Sequence, residues 1–161
     1  MTKKQKDVHG KTILEVSNVY CPYCGASVEL RDYNYIYHTN KYKGKVWVCN
    51  NYPKCDAYVG CHKNTEIPLG RLANKKLRDL KQEAHRQFDP IWKSGLMTRK
   101  DAYKWLASML HISVEECHIG MFDVERCREV IKICQRQTNS TIVDYREKHF
   151  PPMFSRGYKH H

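Results

Sequence analysis

Two short cysteine pairs constrain this chain more than anything else in it. Cys21-Pro22-Tyr23-Cys24-Gly25 is a Cys-x2-Cys knuckle, and Cys49 and Cys55 form a second pair, separated by Asn50-Asn51-Tyr52-Pro53-Lys54. A tight turn lets the two thiolates of such a knuckle reach one ion, and Gly25 relaxes the backbone where amides approach sulfur. Between the pairs, Arg31 to Tyr37 alternates, which predicts a strand with Tyr33, Tyr35 and Tyr37 on one face and Asp32, Asn34 and Ile36 on the other. Asn40 to Gly44 supplies turn residues, and Lys45-Val46-Trp47-Val48 reads as the returning strand. Closing that hairpin brings Cys21, Cys24, Cys49 and Cys55 to one place. Four sulfurs form the closed tetrahedral set that zinc favours in structural sites, with no position left for a reactive water. The chain is therefore expected to hold one structural Zn2+.

Past Ile67-Pro68-Leu69-Gly70 the pattern becomes helical. Leu72, Leu77, Leu80, Ala84 and Phe88 recur at spacings of three to five and predict a helix capped by Asn74 and ending near Asp89-Pro90. Thr98 precedes Asp101 by three residues and introduces a second helix with Ala102, Trp105, Leu106 and Met109 as its apolar stripe. Ser113 with Glu116 marks a short turn. Asp123 caps a last helix whose inner face is Val124, Cys127, Val130, Ile131 and Cys134. From Thr138 onward no period is sustained, and His149-Phe150-Pro151-Pro152 reads as extended. The expected architecture is α+β: a zinc ribbon with a basic N-terminal extension over residues 1–65, a part of three to four helices over 66–137, and an extended tail over 138–161. The closing Lys159-His160-His161 resembles part of an expression tag and carries no functional argument.

Charge bears on the partner. Among 161 residues, 28 Lys and Arg outweigh 17 Asp and Glu, for a net +11. Such an excess favours a polyanionic partner through phosphate neutralisation and counterion release. It is unevenly spread, since residues 94–137 hold seven basic and six acidic residues. Around the ribbon, Tyr33, Tyr35, Tyr37 and Trp47 interleave with Arg31, His38, Lys41, Lys43 and Lys45, the stacking and cationic groups that sequence-tolerant single-strand binding uses. On the first long helix, Lys75, Lys76, Arg78 and Lys81 fall off the apolar stripe and face either solvent or phosphate. Both sets have an ordinary structural alternative: an aromatic face packed against its own protein, and a solvated helix face.

Two Cys-His pairs remain, Cys61-His62 and Cys117-His118. They have the chemistry of a second zinc site or of groups supporting the first, although neighbouring residues seldom both ligate one ion. A cysteine nucleophile would need an orienting group and an oxyanion hole, and no motif supplies them. Phosphate-cradling loops and paired acids are missing from the motif inventory as well. The sequence is therefore read as that of a binding protein and not an enzyme. It carries no run of roughly 18 apolar residues and its basic start is no signal peptide, so a cytoplasmic location is expected.

Two resemblances add to this. Cys-Pro-Tyr-Cys-Gly followed by Trp-Val-Cys-Asn-Asn-Tyr-Pro-Lys-Cys resembles the zinc ribbons repeated in the tails of bacterial type I DNA topoisomerases, over about 40 residues, with a longer loop between the pairs. That likeness implies single-stranded DNA binding. Further along, Asp56-Ala57-Tyr58-Val59-Gly60-Cys61-His62, Pro68-Leu69-Gly70-Arg71-Leu72-Ala73, Ala84-His85, Phe88-Asp89-Pro90-Ile91-Trp92-Lys93 and Cys117-His118-Ile119-Gly120 resemble a zinc-finger-containing domain of small bacteriophage proteins, over roughly residues 19–135. This second likeness implies a zinc ribbon plus helices, a phage origin and residence in the cytoplasm of the host bacterium. Three functions follow as expectations. The first is non-catalytic binding of nucleic acid or of a nucleic-acid-processing complex. The second is inhibition of a host DNA-targeting effector nuclease, in the manner of an anti-CRISPR protein that blocks DNA loading. The third, an enzyme, is the minority reading.

Overall fold

The structure is a computed structural model that describes residues 20–151. The basic start over 1–12 and the closing Lys159-His160-His161 lie outside the described residues. The chain divides into two units, one running up to Lys81 and including Gly120–Val124, the other formed by Gln82–Ile119 and the residues from Glu125 onward. Residues 66–81, grouped with the helical part on sequence grounds, thus cluster with the ribbon.

The first unit is built on a three-stranded antiparallel sheet in the order β1 (Val28–Asp32), β2 (Lys45–Cys49), β3 (Tyr58–Gly60). β1 pairs with β2 from Val28 opposite Cys49 to Asp32 opposite Lys45, and Trp47 of β2 faces Val59 of β3. Successive strand residues point to opposite faces, so the central strand serves two cores. Trp47 and Cys49 join Cys21, Val28, Ala57, Cys61 and Leu72 on one side. Val46 and Val48 join Ile36 on the other, with Tyr33, Tyr52 and Tyr58 packed around them. Strand β3 is extended by a bridge, Tyr58 and Ala73 exchanging backbone hydrogen bonds of 3.0 and 3.1 Å.

The strand expected over 31–37 stops at Asp32. Residues Asn34–Tyr37 form a single helical turn, α1, closed by His38 in the left-handed region (φ 54°). The alternation of tyrosines imitates a strand, but the turn drives Ile36 into the core against Val46 and Val48. It also stacks Tyr33 edge-on against Tyr37, four residues on, with centroids 5.6 Å apart. Burying Ile36 stabilises this by about 2 kcal/mol, more than exposed strand pairing offers.

Helix α2 (Lys75–Phe88) begins where expected, with Asn74 Oδ1 accepting from the Leu77 amide at 3.1 Å, and buries Leu77, Ala84 and Phe88. A short turn, α3 (Pro90–Lys93), follows. In the second unit α4 (Arg99–Leu110) starts at Thr98, whose hydroxyl accepts from the Asp101 amide at 3.1 Å. It buries Ala102, Trp105 and Leu106 as predicted, but Leu110 in place of Met109, which is exposed. Phe88 lies parallel to Trp105 (6.5 Å) and edge-on to Tyr103 (4.8 Å). Ser113 and Glu116 cap each other's amides around a turn. Helix α5 (Val124–Gln135) starts directly after Asp123 and buries Cys127, Val130 and Cys134; Val124 and Ile131 are half-buried.

The tail is not extended as expected. Residues Asn139–His149 form a further helix, α6. Thr138 and Thr141 reciprocate as a capping box, each hydroxyl accepting from the other's amide (2.9 and 3.1 Å). Only Ile142 is buried along it, so no apolar stripe announces it. Arg146 anchors it by donating to the Leu96 carbonyl at 3.0 Å.

Candidate metal centre

The knuckle folds on two local hydrogen bonds. The Cys21 amide donates to the Ala26 carbonyl (2.7 Å) and the Gly25 amide to the Cys21 carbonyl (2.9 Å). Gly25 sits at φ +80°, a conformation a side chain would strain. The second pair hangs from the end of β2: the Tyr52 amide donates to the Cys49 carbonyl (2.9 Å) and the Cys55 amide to the Asn51 carbonyl (3.0 Å), curling the loop back. Asn50 joins the two loops, donating from its backbone to the Ser27 carbonyl (3.0 Å) and from its side chain to the Ser27 hydroxyl (2.6 Å).

The result is that the Sγ atoms of Cys21, Cys24, Cys49 and Cys55 all lie within 4.8 Å of one another. Cys21 and Cys55 are 3.6 Å apart, Cys24 and Cys49 3.4 Å. Four sulfurs at about 2.3 Å from a zinc ion stand about 3.8 Å apart in a tetrahedron, so the set fits the ion. The thiols sit in unlike surroundings. Burial pushes the Cys49 thiol up to about 12 and raises that of Cys55, and a central dication is what lets buried sulfurs persist as thiolates. Cys24 goes the other way, down to about 6, through hydrogen bonding from the Ala26 backbone and then from Cys49. Amide donors also steady the sulfurs: Asn51 reaches Cys49 Sγ from its backbone (3.3 Å) and Cys24 Sγ from its side chain (3.5 Å).

Residues 17–137 match a family described as a zinc-finger-containing domain. The chain belongs to that family. No curated protein and no solved structure matches it. The family and the sulfur cluster together make the cofactor one structural zinc ion held by the four cysteines.

The other candidate residues divide according to what their side chains touch. Cys61 and His62 lie in the first unit and Cys117 and His118 in the second, and among the described residues neither pair joins a group of three metal donors. Both thiols are raised by burial, Cys61 to about 11 and Cys117 to about 12. Trp47 is no exposed platform. It is buried at 8 % exposure and donates from Nε1 to the Glu66 carbonyl at 2.8 Å. Nor is Arg78 a free surface cation. Its Nη1 donates to the carbonyls of Asp56 (2.6 Å) and Ala73 (2.7 Å), while its guanidinium lies 3.9 Å from the Tyr58 ring centroid. Lys81 donates to the Arg71 carbonyl (3.2 Å). Lys75 pairs with Asp79 and Lys45 with Asp32, each at 2.7 Å on exposed surface. Lys76 and Lys43 are exposed.

Tyr33 packs on the Val46 side of the sheet, and Tyr35 belongs to a ring network wider than the sequence indicated. Tyr35 meets Tyr52 at 5.8 Å, Tyr52 meets Tyr58 at 6.2 Å, Tyr58 meets Tyr37 at 6.5 Å, and Tyr37 meets Tyr42 at 5.9 Å. Three of these rings remain open to solvent: Tyr35 at 37 %, Tyr37 at 47 % and Tyr42 at 52 %. Arg31 covers Tyr35 at 4.3 Å and Lys41 approaches Tyr42 at 5.7 Å. Tyr42, Tyr52 and Tyr58 escaped sequence reasoning. The available signal was density, since eight of the eleven tyrosines fall between positions 20 and 58.

Proposed function

We propose that this zinc-ribbon protein binds single-stranded nucleic acid without catalysis, in the bacteriophage setting its sequence resemblance implies. The supporting observation is the tyrosine network on the ribbon. Tyr35, Tyr37 and Tyr42 present exposed rings, with Arg31 over Tyr35, Lys41 near Tyr42, and exposed Lys43 next to Tyr42 in the chain. Aromatic faces stack unpaired bases irrespective of sequence, and the cations follow the phosphates. The zinc ion serves this surface indirectly, by fixing the two ends of the hairpin that carries it. Absence of catalysis is supported by the metal's four-sulfur set, which has no open position for water, and by burial of Cys61 and Cys117, whose raised thiols are the reverse of activated nucleophiles.

The test is fluorescence anisotropy of a labelled oligothymidylate across a salt series. Three phosphate contacts predict a log–log slope of about −2. Replacing Tyr37 and Tyr42 by alanine removes stacking worth about 1–3 kcal/mol per base, while zinc content stays unchanged. A salt-independent affinity, or full binding by the doubly substituted protein, refutes the proposal. So does a host protein that stays bound after nuclease digestion while the oligonucleotide does not bind at all; that outcome would move the function to blocking a host effector.

A further inference from the structure

The second unit contains a cavity of about 960 Å³ between the turn after α3, the first turns of α4 and the end of α6. Its lining combines three chemistries. Lys104, Arg146 and His149 supply positive or protonatable groups, Leu96 and Phe150 supply apolar surface, and Asp101 is the one carboxylate among the lining residues.

The basic groups are held in place rather than loose. Arg146 donates from Nη1 to the Leu96 carbonyl (3.0 Å) and from Nη2 to Glu147 (2.9 Å). The His149 ring stacks on Tyr145 at 3.9 Å, and its Nδ1 lies 3.1 Å from the Tyr145 carbonyl oxygen. A carbonyl only accepts, so that contact places a proton on Nδ1 and leaves Nε2 facing a ligand, where it donates to a phosphate oxygen only when the ring carries its second proton. Lys104 Nζ stands 5.9 Å from the Phe150 ring centroid, at the border between the cationic and apolar parts. Asp101 precedes Lys104 by one turn of α4, so both project from the same helical face.

We infer that this cavity binds a nucleoside phosphate: Lys104, Arg146 and His149 take the phosphate, Phe150 and Leu96 the base, and Asp101 a sugar hydroxyl. A simple inorganic anion would leave the apolar wall unused and gain nothing from a carboxylate nearby. Arg146 already pairs with Glu147, but an uncharged aromatic compound would leave the cationic side of the lining, Lys104 above all, unused. The same chemistry is offered by a free nucleotide and by the 5′-phosphorylated end of a strand. The site lies within the second unit and does not depend on the ribbon reading.

Calorimetric titration of the full zinc-loaded chain with AMP, adenosine and inorganic phosphate tests the inference. AMP is expected to bind at least tenfold more tightly than either fragment. Lys104→Gln should weaken AMP binding about tenfold, the loss of one charge-assisted contact, with an unchanged thermal midpoint. Tyr37→Ala with Tyr42→Ala should leave AMP binding as it was, which separates failure here from failure of the ribbon proposal. Should AMP give no binding heat, should phosphate bind as well as AMP, or should Lys104→Gln bind AMP normally, the inference is overturned. Given AMP binding, comparing 5′-phosphorylated with 5′-hydroxyl oligonucleotides on the Tyr37→Ala, Tyr42→Ala protein, which lacks the ribbon's stacking rings, assigns the source. Preference for the phosphorylated strand identifies a strand end, and equal binding identifies the free nucleotide.

Discussion

Replacing Gly70 by alanine tests a close approach of two backbone segments in the first unit. A Cβ at position 70 would stand 1.9 Å from the Gly120 carbonyl oxygen and 2.3 Å from its carbon. Ordinary carbon–oxygen contacts are about 3.3 Å, so one backbone must withdraw by about 1.4 Å. Both obstructing atoms belong to main chain, and no flexible side chain can swing aside. Withdrawal breaks the bond from the Arg71 amide to the Gly120 carbonyl, now 3.0 Å, and disturbs that from Arg71 Nε to the Met121 carbonyl, also 3.0 Å. Overpacking costs about 1–3 kcal/mol and each lost hydrogen bond about 1 kcal/mol, giving a destabilisation of about 2–4 kcal/mol. Urea unfolding should show a midpoint lowered by about 1–2 M. Arg71→Gln, which removes only the side-chain contact, should lose about 1 kcal/mol. A Gly70→Ala midpoint within error of the parent, or a loss no greater than that of Arg71→Gln, would refute the close approach.

Elemental analysis should find one zinc per chain, and Cys49→Ser should abolish it together with the ribbon's share of the circular dichroism signal, a binding contribution of about 10 kcal/mol. Acidification should release the ion, because its ligands must be deprotonated. Arg78→Lys keeps the charge but loses the fork that spans the Asp56 and Ala73 carbonyls and the stack on Tyr58, and should lower stability by about 1–3 kcal/mol in thermal unfolding. Cys61, Cys117 and Cys134 are raised by burial to about 11, 12 and 12. They should therefore resist alkylation of the native protein at neutral pH and react only as the pH climbs toward those values, measured by mass spectrometry. Rapid labelling of Cys117 at neutral pH would reopen the nucleophile reading.

The zinc ligands were legible because ligand spacing is a local property, and each pair is formed by its own loop. The α2 and α4 starts were legible for the same reason, since Asn74 and Thr98 cap amides three residues away. What the sequence concealed depends on distant partners. Trp47 and Arg78 read as surface groups until the Glu66 carbonyl and the Asp56 and Ala73 carbonyls are placed against them. Position 31–37 misled through its alternation, since nothing local says that Ile36 will find Val46 and Val48. Strand β3 is three residues long, too short for a period, and α6 hides behind a threonine pair that departs from the usual Ser/Thr–Glu form.

The excursion of Gly120–Val124 back to the ribbon's unit has a practical bearing on how this protein may be divided. A fragment cut after Lys81 would keep every zinc ligand and all three strands, yet lack the carbonyls that receive Arg71. Splitting the gene at that junction would therefore yield a metal-loaded but frayed polypeptide. Any minimal version should bridge the excised residues 82–119 with a short linker so that 120–124 is retained.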